Sequence, residues 1–285
     1  MSKKTIHEAW AFGRDQLAQA SFTPDLDARL LLEYVLQVEH SYLIAHGEEP
    51  ITPGQQREYE LLLARAEVKE PIPYLTGRSS FYGFDLQVNS LVLIPRPETE
   101  QLVDRALSWA GSRSGLNVVD VGTGSGCVAT ALSRHLPPST LIATDISVAA
   151  LKVARFNAKK EGKQHIHFVQ GDLLASLAGP FDLIVANLPY VADDEWTIVG
   201  DGVKWYEPSI ALMGGSDGLD LLRELLHQAT SKLRPGGAIF LEIGWRQGAA
   251  VRHLAGDLFP LADIKVITDL AGQDRIVQIL TNQPA

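Results

Sequence analysis

Residues 117–127 read NVVDVGTGSGC, an apolar run that leads into glycines at alternate positions. The run 117–121 is short and β-branched, which is typical of a buried strand. The glycines at 122, 124 and 126 let the backbone turn tightly and approach a ligand closely before a helix begins. A dinucleotide fingerprint requires its third glycine at position 127, where this chain has Cys127. The stretch therefore predicts the ligand-binding turn of an α/β protein, without specifying a dinucleotide.

Further strand-like runs follow this turn and are mostly separated by helical patterns. They lie at 140–144, 166–169, 181–186, 238–243, 263–268 and 276–280. Such alternation predicts a mostly parallel sheet covered by helices on both faces. The link between the last two runs is too short for a crossover, so those two strands must be antiparallel. We predict a seven-stranded α/β sheet with an antiparallel C-terminal strand pair.

The N-terminal part of the chain has a different pattern. Residues 1–75 are predicted to form a small helical bundle, in which Thr23 and Thr52 mark helix starts because each precedes a proline. Residues 76–95 are predicted to form a β-hairpin linker, with a strand at 84–88, a turn at 89–90 and a return strand at 91–94. Residues 96–285 are predicted to form the α/β domain.

Acidic residues follow two of the predicted strands. Asp145 ends the run at 140–144, and Asp172 follows the run at 166–169. Ligands bind at the carboxyl ends of strands in open α/β sheets, so Asp145 can accept hydrogen bonds from ribose hydroxyls and Asp172 can meet an adenine amino group. Asp145 as a helix N-cap is the alternative. Together with the glycine turn, these positions favour a cofactor that carries a nucleoside but no pyrophosphate.

The run at 181–186 leads directly into Asn187, Leu188, Pro189 and Tyr190. These residues therefore leave the sheet at the same ligand-binding edge. An ordinary turn, with Tyr190 packed on the surface, is the alternative interpretation.

Several segments together resemble the release factor glutamine methyltransferases, and the resemblance covers nearly the whole chain. They are IPRPETE (94–100), VVDVGTGSG (118–126), ATDIS (143–147), ANLPYV (186–191), YEPSIAL (206–212) and GGSDGLD (214–220). The RPETE segment and the YEP…AL…GG…G pair distinguish this family from other methyltransferases better than the glycine turn does.

The resemblance implies a Rossmann-like class I methyltransferase fold that uses S-adenosyl-L-methionine (AdoMet), yields S-adenosyl-L-homocysteine and needs no metal. It implies that Asp145 holds the ribose, that Asp172 and Leu173 flank the adenine, and that Asn187 also borders the cofactor. The methionine part would be lined by the glycine turn, namely Gly122, Thr123, Gly124, Ser125 and Gly126.

The same resemblance assigns Asn187 to Tyr190 to the substrate, although Leu188 stands where the family usually has proline. The Asn187 side-chain oxygen and the carbonyl of Leu188 would accept the two N–H bonds of a glutamine amide, and Tyr190 would stack on it. Every residue has a carbonyl, and Pro189 favours extended geometry at Leu188, so we expect this variant motif to function. The implied reaction is N5-methylation of the glutamine in the Gly-Gly-Gln loop of class-1 peptide chain release factors, which the helical domain would recognise.

Other functions stay open at this point. They are methylation of a ribosomal-protein glutamine, N6-methylation of adenine in nucleic acid, cofactor binding without turnover, and nicotinamide-dependent dehydrogenation. The net charge of −9 disfavours direct nucleic-acid binding, because phosphates are neutralised by Lys and Arg. His165 and His167 lack a third ligand nearby and fit simple strand patterning better than a metal site.

The cysteine content and the lengths of the apolar runs indicate the cellular compartment. Cys127 is the one cysteine, so no internal disulfide is expected. No apolar run is long enough to span a membrane, and the first residues lack the apolar segment of a secretion signal. We expect a cytoplasmic protein without membrane association.

Overall fold

The computed structural model describes residues 4–163 and 165–282. Residues 1–3 and 283–285, the ends of the predicted domains, lie outside the described residues, as does residue 164. The chain divides into two units, which are described separately. One extends to Arg78 and also contains Gly200–Tyr206, and the other contains Ser79–Val199 and the chain from Glu207 onward.

The first unit is helical. Its helices are α1 (Ile6–Leu17), α2 (Pro24–Leu36), α3 (His40–Ala45), α4 (Pro53–Glu67), α5 (Ile72–Thr76) and α9 (Asp201–Tyr206). Thr52 caps α4 through its hydroxyl, in a reciprocal capping box with Gln55. Thr23 does precede α2, but its hydroxyl donates to Asp27 instead of capping the helix. The buried Tyr59 on α4 donates to the carbonyl of Ala28 on α2 at 3.0 Å, which fixes how these two helices pack.

A β-hairpin begins the second unit, but the prediction placed it one strand too late. Its strands are β1 (Arg78–Phe81) and β2 (Phe84–Gln87), and 91–94 is not a strand. Tyr82 and Gly83 form the turn, both at positive φ, which suits a two-residue hairpin. Tyrosine is uncommon in that conformation, so this turn has no strong sequence signal. The apolar residues at 91–94 instead reflect burial outside a strand, because Val92 and Ile94 are core residues.

The main sheet confirms the predicted seven strands and their antiparallel C-terminal pair. Its spatial order is β5-β4-β3-β6-β7-β9-β8, and only the pairs that involve β9 are antiparallel. The strands are β3 (Asn117–Val121), β4 (Thr140–Asp145), β5 (His167–Gln170), β6 (Phe181–Asn187), β7 (Leu233–Glu242), β8 (Asp263–Thr268) and β9 (Asp274–Leu280).

Helices cover both faces of this sheet. They are α6 (Glu98–Ala110), α7 (Cys127–His135), α8 (Val148–Lys160), α10 (Asp220–Ala229) and α11 (Gly248–Leu258). Successive residues of the central strands enter different cores: Leu183 and Val185 pack with α6 and α7, whereas Ile184 packs with α10 and α11. Both faces are therefore dry, which accounts for the continuous apolar runs that identified these strands.

The strand register brings the predicted site residues to one edge. Val121 at the end of β3 pairs with Thr144 on one side and with Ala186 on the other. Asn187 at the end of β6 pairs with Glu242 at the end of β7. The turns that follow β3, β4 and β6 consequently meet at the carboxyl edge of the sheet.

One buried amide ties the hairpin to the glycine turn. Asn157 on α8 accepts from the Gln87 N–H at 2.7 Å and donates to the carbonyls of Gln87 and Ser125 at 2.9 and 2.8 Å. Its side chain is fully buried, so the amide depends on these backbone partners for its hydrogen bonds.

We expect Asn157→Ala to lower the free energy of unfolding of this protein by roughly 1–3 kcal/mol, because it leaves the buried Ser125 carbonyl unpaired and removes two part-buried hydrogen bonds to Gln87. Gln87→Ala is the matched control. It keeps the backbone groups that Asn157 binds and should change stability by less than about 0.5 kcal/mol. Urea unfolding measures both, and equal stability of the two variants would contradict this role.

Candidate active site

A cleft that is open to solvent lies at the carboxyl edge of the sheet in the second unit. Every predicted site residue lines it except Gly126 and Tyr190. Its walls come from the segments after β3, β4, β5 and β6, and from 91–99 and 208–211. The lining is mainly apolar with a few polar groups, as in small-molecule sites.

The glycine turn forms one wall of the cleft. Gly122 has φ +73°, and a Cβ there would lie 2.7 Å from the Leu188 Cδ2 atom, so this position has no room for a side chain. Gly126 has φ +80° and a different role. A Cβ there would lie 2.9 Å from the Ala154 Cβ atom, so Gly126 permits close packing on α8 instead of lining the cleft.

Asp145 organises the turn from the neighbouring strand. One of its carboxylate oxygens accepts from the Gly124 N–H at 2.9 Å, and the other accepts from the Ser147 N–H at 2.8 Å. Burial raises its pKa, although these two hydrogen bonds oppose the shift. Ser147 is the N-cap of α8, with its hydroxyl accepting from Ala150. The side chain of Asp145 is therefore directed at the glycine turn, and each oxygen keeps a further acceptor position.

The segment after β5 forms the opposite wall. Asp172 is exposed, whereas Leu173 is buried and has φ +50°. That left-handed conformation is strained for a leucine and is kept only where the surroundings enforce it. Here the Leu174 N–H is held by the Gln228 side chain at 2.8 Å. The strained turn places the Leu173 side chain in the cleft wall.

Asn187 at the end of β6 is held in place by Thr99 near the start of α6. Its Nδ2 donates to the Thr99 hydroxyl oxygen at 3.0 Å. Thr99 is almost fully buried, and both residues line the cleft. Thr99 therefore binds the nitrogen of this amide and leaves its oxygen, Oδ1, without a bond to Thr99.

The segment that follows Asn187 is anchored by Leu212, Gly214 and Gln247. The Val191 N–H donates to the Leu212 carbonyl at 2.9 Å, and the Gly214 N–H returns to the Val191 carbonyl at 2.8 Å. The Tyr190 carbonyl accepts from the Gln247 side chain at 2.9 Å. Leu188 is buried in the core beneath α10, so its side chain has a packing role in addition to the carbonyl emphasised in the prediction.

The paired motifs RPETE and YEP meet through one buried carboxylate. Glu207 is 5% exposed and accepts from the Ile94 N–H at 3.1 Å and from Arg96 at 2.5 Å. A buried carboxylate is tolerated when it is paired and hydrogen-bonded in this way. The two segments are far apart in sequence, and this contact places both of them at the cleft.

Two buried acids at the edge were missed by the sequence prediction. Asp120 accepts from the Thr123 hydroxyl at 2.6 Å and from the Ala129 N–H at 3.1 Å, and burial raises its pKa to about 7. Glu242 lies opposite Asn187, and burial raises its pKa to about 7 against the opposing effect of a hydrogen bond from Thr99. An acid within an apolar strand was the available signal for both residues.

Neither His165 nor His167 lines the cleft. The His165 Nε2 atom lies 2.8 Å from the Ser133 hydroxyl, outside the cleft. Within the described ranges, no three His, Cys, Asp or Glu side chains cluster as metal ligands. In the same ranges, no helix has the length and apolar character needed to cross a bilayer.

Comparisons with known proteins agree with this geometry. Residues 8–77 match the PrmC N-terminal domain family, and residues 102–201 match the methyltransferase small domain family. The release factor glutamine methyltransferase of Xylella fastidiosa (strain 9a5c) is 40% identical over 88% of this chain and 91% of its own. The protein of that name in Bacillus subtilis (strain 168) is 37% identical over 98% and 99%. A solved methyltransferase from Pyrococcus furiosus shares the fold, with 18% identity and a TM-score of 0.53 over 80% of this chain and 98% of its own.

The raised pKa of Glu242 predicts a pH-dependent stability. Because its pKa rises from 4.5 to about 7 on folding, its contribution to stability is complete below pH 4.5 and is lost as the pH rises through 7. Glu242→Gln cannot titrate, so from about pH 5 to about pH 8 wild type should lose roughly 2–4 kcal/mol relative to the variant. Urea unfolding at both pH values measures this, and the contribution of Asp120 cancels in the comparison. Parallel pH curves would show that Glu242 does not titrate in this way.

Proposed function

The chain belongs to the release factor glutamine methyltransferases, and from this premise we propose that it N5-methylates a glutamine side chain. The substrate is the glutamine in the Gly-Gly-Gln loop of class-1 peptide chain release factors. The observation that carries this proposal is the Asn187 amide, which lines the cleft beside the glycine turn while its Nδ2 is occupied by Thr99. An acceptor oxygen in that place suits a substrate that must present two N–H bonds.

The cleft fits AdoMet as the methyl donor, which leaves as S-adenosyl-L-homocysteine. Gly122, Thr123, Gly124 and Ser125 line the wall where the methionine part would lie, and the missing Cβ of Gly122 leaves room for the Leu188 side chain beside that wall. Asp145 is positioned to hold the ribose, because each carboxylate oxygen already takes one backbone N–H and can accept a further bond. Asp172 and Leu173 would flank the adenine, with Leu173 packing on the base.

The residues at the end of β6 would stabilise the developing charge on the substrate nitrogen. A side-chain amide nitrogen is a weak nucleophile because its lone pair is delocalised into the carbonyl. The Asn187 Oδ1 atom and the Leu188 carbonyl would accept its two N–H bonds, and the Tyr190 ring would pack on the amide plane. These acceptors favour the nitrogen as it becomes pyramidal and positive, so they bind the transition state better than the ground state.

When bound, AdoMet supplies an electrophilic methyl group on a positively charged sulfur. The contribution of the protein is then mainly positioning, since Asn187 and Leu188 hold the substrate nitrogen in line with that group. The nitrogen gains one methyl group and releases one proton. No metal enters this proposal.

We assign recognition of the release factor to the helical unit. In support, residues 8–77 match the PrmC N-terminal domain family, and the unit exposes large apolar side chains such as Phe22, Ile44 and Leu61. Exposed apolar side chains are available for contact with a protein partner, and a contiguous patch of them would mark a binding surface. The cytoplasmic location stays a prediction.

Incubation with labelled AdoMet and a purified release factor tests the function, with the label located by mass spectrometry. We expect one methyl group on the Gly-Gly-Gln glutamine and none when that glutamine is replaced. A ribosomal-protein mixture and an adenine-containing DNA duplex are the parallel substrates. Label on either of these in place of the release factor would contradict the proposal.

Asp145→Ala should weaken AdoMet binding by roughly 1–3 kcal/mol, because the ribose hydroxyls and the Gly124 N–H would lose their acceptor. Calorimetric titration measures this change. Ser147→Ala is the control, since it removes the helix cap without touching the acceptor. If the two variants bind AdoMet equally well, Asp145 is not the ribose ligand.

Asn187→Ala should lower turnover by about 10²–10³-fold, as the loss of one preorganised polar group does at other sites. Affinity for AdoMet should change much less, because the Asn187 oxygen serves the substrate. Tyr190→Phe should be mild and Tyr190→Ala severe, since packing on the amide needs the ring and not the hydroxyl. Steady-state kinetics with a release factor measures all three variants, and near-normal turnover of Asn187→Ala would exclude the mechanism.

A further inference from the structure

A chain of buried polar groups lies behind the Asn187 amide. Asn187 Nδ2 donates to the Thr99 hydroxyl oxygen at 3.0 Å, and Thr99 in turn hydrogen-bonds the Glu242 side chain. Thr99 is 2% exposed and Glu242 is 1% exposed. One oxygen of this carboxylate, Oε2, has no hydrogen-bond partner among the described residues.

The chemistry of the three groups determines the direction of this chain. An ionised carboxylate can only accept, so the Thr99 hydroxyl must give its proton to Glu242. The Thr99 oxygen then has only its lone pairs to offer to Asn187. An Asn187 amide rotated by a half-turn would set its carbonyl oxygen against the Thr99 oxygen, with no proton between them. The amide is thereby held with Nδ2 inward and Oδ1 outward.

We propose that Thr99 and Glu242 are positioning residues that select the one orientation of Asn187 in which Oδ1 faces the substrate amide. The inference rests on the proposed function. A reversed Asn187 would present its own N–H₂ group to the N–H₂ group of the substrate glutamine, two sets of donors with no acceptor. Neither Thr99 nor Glu242 touches the reacting atoms in this role.

Charged side chains around Glu242 shift its pKa in both directions. Arg275 on β9 and Arg96 before α6 lower its pKa, while Glu98 at the start of α6 raises it. Glu242 in turn raises the pKa of both Tyr190 and Cys127. Burial outweighs the two arginines, so the net pKa is about 7. Below that pH a protonated Glu242 can donate to Thr99, and the selection of the Asn187 orientation is lost.

The matched pair Thr99→Val and Thr99→Ser tests this role. Valine keeps the shape of threonine and removes the hydroxyl, whereas serine keeps the hydroxyl. We expect Thr99→Val to lower kcat by about 10–100-fold, a fraction of the effect of losing the Asn187 group itself, with affinity for AdoMet unchanged. Thr99→Ser should retain turnover near that of wild type. Thr130→Val is the control for a buried threonine, because its hydroxyl has no partner in the described structure and lies outside the cleft.

The pH dependence of kcat separates a positioning role of Glu242 from a purely structural one, because a structural role would leave this dependence unchanged. Wild-type kcat should fall as the pH drops through about 7, and this fall should be clearly smaller in Glu242→Gln, which retains only Asp120 as a buried acid with a pKa of about 7. Glu242→Gln also keeps the proposal testable if Thr99→Val does not fold. Normal kcat in folded Thr99→Val, or an unchanged pH profile in Glu242→Gln, would overturn the positioning role. If Asn187→Ala loses activity while Thr99→Val has normal activity, only the positioning role is refuted. If the wild-type protein never methylates a release factor, the proposed function itself is refuted.

Discussion

The parallel register of β3, β4 and β6 is the constraint on which the site depends. With Val121 paired to both Thr144 and Ala186, the three turns that follow these strands begin at the same level of the sheet. A shift of one residue in any strand would reverse which face each side chain occupies and would bury polar groups in the two apolar cores. The dry cores therefore set the register, and the register sets the spacing between the glycine turn and Asn187.

The carboxyl edge of the sheet contains buried acidic side chains, which destabilise a protein core unless they are paired. Asp120 and Glu242 are buried, and for both residues desolvation outweighs their hydrogen bonds and raises the pKa. The left-handed Leu173 adds backbone strain at the same edge. Costs of this kind cluster at functional sites, where the rest of the fold compensates for them. Here the compensation comes from two apolar cores that close over both faces of the sheet.

Local patterns predicted the sheet because a strand buried on both faces has a short continuous apolar sequence. The glycine turn and Asp145 were predictable for a similar reason, since their positions follow from strand ends. The hairpin turn at Tyr82 and Gly83 was not, because tyrosine rarely adopts a positive φ. The contact between Asn187 and Thr99 joins residues 88 positions apart, so only the folded chain brings them together.

A crystal structure with S-adenosyl-L-homocysteine and a bound release factor tests the central claim most directly. We expect the amide nitrogen of the Gly-Gly-Gln glutamine to lie about 3 Å from both the Asn187 Oδ1 atom and the Leu188 carbonyl oxygen. We also expect the Asn187 Nδ2 atom to keep its hydrogen bond to the Thr99 hydroxyl. A glutamine amide bound elsewhere in the cleft, or an Asn187 that turns its Nδ2 toward the substrate, would contradict the account.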